Sequence, residues 1–321
     1  MTYRIYRDTD VGAPKLLPQR DGCNAVLLDV LVNGYGSTPS AGWTSPYSSA
    51  GLRVFQQGAG GNNRFLRVYD GQTVVNAGYG WSVNIAGYEN MTAVSTGTAR
   101  WPTTAQQGGN GLFFRYRTAS PYDAGSGPVD IPWTIVANSN FFIMFANGYG
   151  QPEEQAGEAS SSMMFFGTFV SNKTADTYGD IIGAGNNDYE LGFSNGHGAF
   201  GQAFVTRNHS LTGGSIPAAL YCATARPGFS TFGNGLVPYP DPITNTLILD
   251  KIHIHTSAIG DLSTSVFRGV LPCIYSHPHP KASLSSNTQF EGTGADAGRL
   301  FEIKPMSGTA SVVLELSDTW V

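Results

Sequence analysis

The chain has 321 residues, of which 41% are hydrophobic and only 13% are charged. This apolar share is enough for a sizeable core, so the composition is neither that of a disordered chain nor that of a coiled coil. The formal net charge is -5 and no dense Lys/Arg run occurs, which argues against nucleic acid as the main partner, because phosphate binding needs a basic surface.

The cellular compartment is indicated by the hydropathy pattern and the cysteines. No apolar run approaches the ~18 residues of a membrane span, so we expect no membrane insertion. The opening MTYRIYRDTDVGAPKLL lacks the apolar stretch that a signal peptide needs. Cys23, Cys222 and Cys273 are scattered and are predicted to be buried thiols rather than a disulfide framework. These features predict a protein that folds in a reducing cytoplasm.

The first predicted element is a helix in DGCNAVLLDVLVNGYG. Its apolar residues fall on one face at α-helical spacing: Val26, Leu27, Val30 and Leu31. Asp21 is predicted to cap its N-terminus, and Asn33-Gly34 to provide a left-handed stop.

After this helix the chain consists of short runs rich in β-branched and aromatic residues: RFLRVYD, LFFRYRT, WTIVA, FFIMFA, MMFFGTFV, TLILDKIHIHT and SVVLELSD. Clusters of Gly, Pro, Asn and Ser separate these runs, which is typical of a sandwich or barrel. Arg115 and Arg117 alternate with aromatic residues and are predicted to lie on one face of a strand. Because helices do not alternate with these runs, a parallel α/β sheet is not expected.

The predicted fold is therefore mostly β. We expect antiparallel, sandwich-like or jelly-roll-like sheets with one short N-terminal helix and long Gly/Pro-rich loops. Residues 1–321 are expected to form a single compact β body, with a division into two lobes, about 1–180 and 181–321, as the alternative.

Two segments are predicted to be exposed loops. NGYGQPEEQAGEASSS (Asn147–Ser162) contains an acidic patch of Glu153, Glu154 and Glu158, which we interpret as solvated, with a cation or partner contact as the alternative. RPGFSTFGNGLVPYPDPITN (Arg226–Asn245) holds too much Pro and Gly for regular structure. A loop of that length is usually functional or an interface arm.

The segment GFSNGHGAFG (Gly192–Gly201) matches two enzyme patterns, the G-x-S-x-G nucleophile elbow and the G-x-G-x-x-G dinucleotide loop. Both patterns need a strand before the motif and a helix after it. The Asn and Gly residues that follow Ser194 cannot start a stable helix, and no acidic residue lies about 20 positions beyond the second motif. With 41 glycines in the chain such matches arise easily by chance, so we predict a tight hairpin between YELGF and AFVTR.

The histidines include two closely spaced pairs. In KIHIHTS a strand places His253 and His255 on one face, and YSHPHP offers His277 and His279 in an extended segment. Two imidazoles at i, i+2 can share one metal, and four could form a zinc or transition-metal site. No Cys or carboxylate lies at ligand spacing beside them. We therefore interpret the histidines as facing solvent or an interface and predict no metal or cofactor, with a metal site as the alternative.

Support for acid–base catalysis by paired carboxylates is weak. Asp and Glu number only 23, and most lie in turns such as Asp70-Gly71 or Asp123-Ala-Gly. Two carboxylates could still meet across a β cleft, as in glycosidases. Tyr79 and Trp81 in turn sequences could stack on sugars, but such side chains more often cover the edge of a core. We predict no catalytic residues.

A series of blocks extends over nearly the whole chain: LLDVLVNGYGS (Leu27–Ser37), AGWT (Ala41–Thr44), RFLRVYD (Arg64–Asp70), GYENM (Gly87–Met91), STGTARWPT (Ser95–Thr103), WTIVANSNFFIMF (Trp133–Phe145), FFGTFVS (Phe165–Ser171), FRGVLPCIY (Phe267–Tyr275), FEGTGADAGRLFEI (Phe290–Ile303) and LELSDTW (Leu314–Trp320). Together, and in this order, they resemble a family of tailed-bacteriophage virion proteins. Relatives often carry an extra β module between the first two blocks, where this chain has only Thr38, Pro39 and Ser40.

The resemblance implies a structural component of a tailed-phage virion, in the tail, the neck or the capsid surface. Such a protein acts without catalysis, by symmetric assembly as a homo-oligomer with other phage virion proteins, and is assembled in the host bacterial cytoplasm. The family has no established catalytic residues to carry over. One alternative is a tail receptor-binding module that recognises host surface glycan or protein; a further alternative is a tail-associated glycan hydrolase. Low charge agrees with assembly, because charged residues are depleted in the cores of obligate interfaces.

Overall fold

A computed structural model describes residues 3–71, 80–106, 112–117, 130–147, 161–185, 203–207, 214–221, 241, 243, 246–258, 261–277, 289–293, 296–305 and 311–317. Within these ranges the chain forms one α-helix, α1 (Gly22–Leu28), which continues as a π-helical segment (Asp29–Asn33). No helix in the described ranges is both long enough and apolar enough to span a membrane.

The strands are, in chain order, β1 (Arg4–Arg7), β2 (Thr44–Ser49), β3 (Leu52–Gln56), β4 (Phe65–Tyr69), β5 (Gly80–Ala93), β6 (Thr96–Trp101), β7 (Leu112–Arg117), β8 (Trp133–Ala137), β9 (Phe141–Asn147), β10 (Ser161–Thr168), β11 (Val170–Ser171), β12 (Asp180–Gly185), β13 (Ala203–Val205), β14 (Ile216–Tyr221), β15 (Asp250–Ala258), β16 (Asp261–Ser276), β17 (Gln289–Glu291), β18 (Leu300–Pro305) and β19 (Ser311–Glu315).

These strands form three antiparallel sheets. The front sheet has the order β2-β3-β4-β5-β6, with β7 also paired to β5. The middle sheet runs β1-β8-β9-β10-β12-β13-β14, and the back sheet runs β14-β15-β16-β19-β18-β17, with β11 added to β16. Strand β14 belongs to both, because its first residues pair with β13 and its later residues pair with β15.

The middle sheet is covered on both faces. On β9, Phe142 and Met144 pack into a core with α1 and the front sheet, whereas Phe141, Ile143 and Phe145 pack into a second core with the back sheet. This double burial explains the continuous apolar runs WTIVA and FFIMFA, since a strand with one solvent face would alternate apolar and polar residues. The result is a stack of three layers.

The predicted fold class is confirmed as mostly β and sandwich-like, with one short N-terminal helix. The runs WTIVA and FFIMFA became β8 and β9, and RFLRVYD, LFFRYRT and SVVLELSD became β4, β7 and β19. In TLILDKIHIHT the strand begins only at Asp250. The possible lobe boundary at residue 180 falls on the first residue of β12, which pairs with β10 on one side and β13 on the other.

The helix buries the face that its sequence indicates. Val26, Leu27, Val30 and Leu31 are fully buried in the core that α1 shares with the front and middle sheets. The π-helical segment is followed by Gly34, whose N–H donates to the Asp29 carbonyl at 2.7 Å. Gly34 has φ 79° but ψ 170°, so its backbone is not the predicted left-handed helical conformation. Glycine fits because a Cβ there would lie 2.7 Å from the Thr38 carbonyl oxygen.

Most of the two predicted loops lies outside the described residues. The ends of Asn147–Ser162 belong to β9 and β10, whereas Glu153, Glu154 and Glu158 are not described. In Arg226–Asn245 only Asp241 and Ile243 are described.

Candidate functional site

The sequence KIHIHTS forms part of β15, with the predicted alternation of its side chains. Ile252 and Ile254 are fully buried in the core between the middle and back sheets, whereas His253 and His255 are half-buried on the opposite face. The prediction that both imidazoles share one face is confirmed.

An aromatic ring from the neighbouring strand lies beside both imidazoles. Phe267 is directly opposite His255 in the β15–β16 pairing, and its ring centroid is 5.5 Å from that of His255 and 5.0 Å from that of His253. The two imidazole centroids are 6.4 Å apart. Val170 on β11 lies in the same cross-strand row as His253, because Val270 pairs with both. We call His253, His255, Phe267 and Val170 the histidine face.

A β-bulge helps to orient this surface. Between Ile254 and His255 the register shifts, so Arg268 has no opposite residue on β15. The Arg268 guanidinium instead forms a buried ion pair with Asp176 at 2.9 Å. Such a bulge re-aims side chains locally. It keeps Phe267 on the outside while its charged neighbour is buried.

The histidine face carries exposed apolar side chains beside its two imidazoles. Phe267 is 39% exposed and Val170 is 43% exposed. Burial lowers the pKa of His255, and the nearby charge of His253 lowers it further. A strip of this kind can contact another polypeptide or bind a metal through neutral ring nitrogens.

The second histidine pair does not join the first within the described residues. His277 is buried just after β16, seven residues beyond Val270, the residue opposite His253. His279 lies outside the described residues. In the described part of the chain no group of three or more His, Cys, Asp or Glu could hold a metal ion.

The Gly-rich segment GFSNGHGAFG and the predicted tight hairpin lie outside the described residues. The first described element after the segment is a strand, β13, that begins at Ala203. A nucleophile elbow or a dinucleotide loop would need a helix after the motif. This neighbouring strand therefore gives no support to either enzyme pattern.

A carboxylate that the sequence places in a turn is in fact a buried structural group. Asp70 accepts hydrogen bonds from the backbone N–H groups of Cys23 and Asn24, at 2.7 and 3.2 Å, and from Trp81 Nε1 at 2.6 Å. It thus caps α1 from a distant part of the sequence. Burial raises the pKa of Asp70 to about 7, although these hydrogen bonds oppose the shift.

Asp21 occupies the predicted N-cap position of this helix, but its side chain does not supply the cap. Asp21 has φ 65°, and its side chain makes no capping hydrogen bond. Its carboxylate accepts instead from the Gly51 N–H and from Asn24 Nδ2. The cap came from Asp70, which sequence spacing alone could not connect with the helix.

Other buried carboxylates are similarly occupied by hydrogen-bond donors. Asp180 accepts from Gln57, Asn62, Arg64 and Thr168, and so ties the front sheet to the middle sheet. These contacts are those of a structural bridge, and they leave little room for a reacting molecule at this carboxylate.

Glu315 on the back sheet has the same character. It accepts hydrogen bonds from Tyr275, Arg299 and Ser317, the first at 2.9 Å.

Trp81, considered above for sugar stacking, is buried and donates to Asp70. Tyr79 lies outside the described residues.

Two of the three cysteines are described. Cys23 and Cys273 are free and buried, as predicted, and burial raises the pKa of both thiols well above the ordinary value. A high thiol pKa disfavours the reactive thiolate, so these residues act as core side chains. Cys222 lies outside the described residues.

The sequence blocks described above supply much of the interior. Trp43 from AGWT and Trp101 from STGTARWPT both pack on Phe166 from FFGTFVS, with ring centroids 5.9 and 5.8 Å apart.

Comparison of the chain with known protein families finds no family model that matches it. Comparison with curated proteins finds no significant match.

Proposed function

We propose that this chain is a structural component of a tailed-bacteriophage virion, a part of the tail, neck or capsid surface. It works without catalysis, by assembling with copies of itself and with other virion proteins. The observation that carries the proposal is that residues of the blocks resembling such proteins make up the separate cores of a three-layer stack of sheets.

A particle protein must persist outside the cell without chaperones, and this chain has an interior suited to slow unfolding. Its middle sheet is covered on both faces by separate apolar cores. Buried polar bridges centred on Asp180 and Asp70 tie the chain's layers and helix together. Breaking such a structure exposes both cores, which supports kinetic stability.

The surface also favours assembly over recognition of a small molecule. Apolar side chains of the histidine face, Phe267 and Val170, are exposed on the outer side of the back sheet. Covering these side chains in a subunit contact would remove apolar surface from water, which favours association. The buried carboxylates Asp70, Asp180 and Glu315 are held in structural hydrogen bonds, so a catalytic proposal gains no support from them.

Two experiments test this function: deletion of the gene, and measurement of the oligomeric state of the purified chain. We expect the deletion to stop particle assembly at the stage where the protein enters, and we expect the purified chain to form a defined oligomer in sedimentation velocity. Normal particles that cannot attach to host cells would favour the receptor-binding alternative instead. Normal, fully infectious particles and a monomeric chain would refute the proposal.

A further inference from the structure

We propose that His253 and His255 form a two-imidazole binding site for a divalent transition metal, with Cu²⁺ bound most tightly and Ni²⁺ and Zn²⁺ less tightly. Metal binding at this pair does not depend on the proposed virion function. It rests on the placement of two ring ligands on one face of β15.

The distance between the rings allows both to reach one ion. Metal–nitrogen bonds are about 2 Å long, so the two ligating nitrogens must come within roughly 3 to 4 Å of each other. The imidazole centroids are 6.4 Å apart and the rings are tilted by only 31°. Small side-chain rotations of two half-buried rings can therefore close the remaining gap without moving the strand.

Phe267 restricts how these rings can move. Its centroid lies 5.0 and 5.5 Å from the two imidazoles, so one ring on β16 packs beside both ligands. Restricting ligand rotamers before binding lowers the entropy that binding costs. The bulge that buries Arg268 also removes its positive charge from this surface, since the guanidinium pairs with Asp176.

The ligand chemistry selects the class of ion. Imidazole nitrogen suits copper, nickel and zinc, whereas Mg²⁺ and Ca²⁺ need oxygen ligands. Metal binding also needs the imidazoles in their neutral form, because the ligating nitrogen must offer a lone pair to the ion. With two protein ligands the remaining coordination positions are open to water, so affinity should follow the order Cu²⁺ above Ni²⁺ and Zn²⁺.

Isothermal titration of the metal-stripped full-length chain with CuCl₂, NiCl₂, ZnCl₂ and MgCl₂ tests the site. We expect wild type to bind at least one equivalent of Cu²⁺. His253→Ala and His255→Ala should each weaken this binding by more than about tenfold, because even substitution of a residue that only orients a metal ligand costs that much affinity. Val170→Ala, a change on the same face that keeps both imidazoles, should bind as wild type does. MgCl₂ should give no binding heat.

Electron paramagnetic resonance of the Cu²⁺ complex gives a second readout. It should show coupling to two imidazole nitrogens in wild type and in Val170→Ala, and the loss of one in either histidine variant. Circular dichroism without metal checks folding, and His253→Gln and His255→Gln replace any alanine variant that fails to fold. Equal Cu²⁺ binding by wild type and both histidine variants, or no binding by wild type, would overturn the assignment.

Discussion

Trp43 shows how a single side chain joins distant parts of this chain. Its indole N–H donates to the Asn138 carbonyl at 2.6 Å, in the turn between β8 and β9. Its ring packs against Phe142 and Phe166 of the middle sheet, with centroids 5.7 and 5.9 Å away. The residue leads into β2, so one side chain fixes the start of the front sheet against the middle layer.

Trp43→Ala should destabilise the fold by about 3 to 5 kcal/mol, because it leaves a large cavity in the core. Trp43→Phe keeps most of the volume but leaves the Asn138 carbonyl without this donor, which should cost about 1 to 3 kcal/mol. Urea unfolding measures both. Val11→Ala, at a residue that is 90% exposed, is the control and should change stability by less than about 0.5 kcal/mol. A Trp43→Ala protein as stable as this control would contradict the packing described.

Among the elements, α1 depends on a carboxylate from outside its own sequence. Asp70 follows β4, and its carboxylate accepts from the first free N–H groups of the helix. The pKa of Asp70 is raised to about 7 in the folded chain, mainly by burial, against an ordinary value near 4 in the unfolded chain. Between these two values the folded state holds a proton that the unfolded state releases, so stability falls as pH rises through this window.

Asp70→Asn removes this titration while keeping the shape of the side chain. We expect the stability difference, wild type minus Asp70→Asn, to fall by up to about 4 kcal/mol between pH 4 and pH 7 and to stay level above pH 7. Urea unfolding at several pH values in that range provides the measurement. A difference that does not change with pH, or that grows as pH rises, would contradict the raised pKa of Asp70.

Close backbone approach in the middle sheet requires glycine at the end of β10. Gly167 has φ 135°, and a Cβ there would lie 2.1 Å from the Asn140 carbonyl oxygen. Gly167→Ala should therefore cost more than about 2 kcal/mol, from strain in the backbone and from displacement of β9. Gly214→Ala is the matched control, since a Cβ at that position meets no atom within 4 Å. Thermal unfolding of both variants is the test; equal melting temperatures would contradict this reading.

Local sequence patterns predicted the helix and the individual strands better than they predicted the contacts between these elements. The apolar face of α1 and the strands β4, β7, β8 and β9 followed from residue periodicity and turn residues, which act over a few positions. The cap of α1 did not, because Asp70 reaches the helix only through the fold. The alternation of His253 and His255 was predictable, but the bulge that buries Arg268 was not, since it depends on how β15 and β16 pair.

At the scale of the whole molecule, three stacked sheets replace the two-layer sandwich that short strands usually suggest. The runs FFIMFA and MMFF carry apolar residues at every position because their strands are buried on both sides. Periodicity cannot distinguish such strands from other buried segments, so the third layer was not predictable from the sequence. Among the described strands, the pairing of β14 with both β13 and β15 joins the middle sheet to the back sheet by backbone hydrogen bonds.

Introducing a charged side chain on the outer surface of the back sheet tests whether this surface takes part in assembly. Phe267→Glu places a carboxylate on the histidine face, and covering it in a subunit contact would cost several kcal/mol. We expect the variant to fold, since Phe267 is 39% exposed, but to reduce oligomer formation by more than about tenfold in sedimentation velocity. Val11→Glu adds the same charge at another exposed position and should assemble as wild type does. Equal assembly of both variants would exclude this face as a subunit contact.

Quantitative mass spectrometry of purified, dissociated phage particles tests the proposed virion role most directly. A structural component should be present in every preparation, at a constant number of copies relative to the other particle proteins. Absence of the chain from the particles, with all of it recovered as free protein in the lysate, would contradict the proposal.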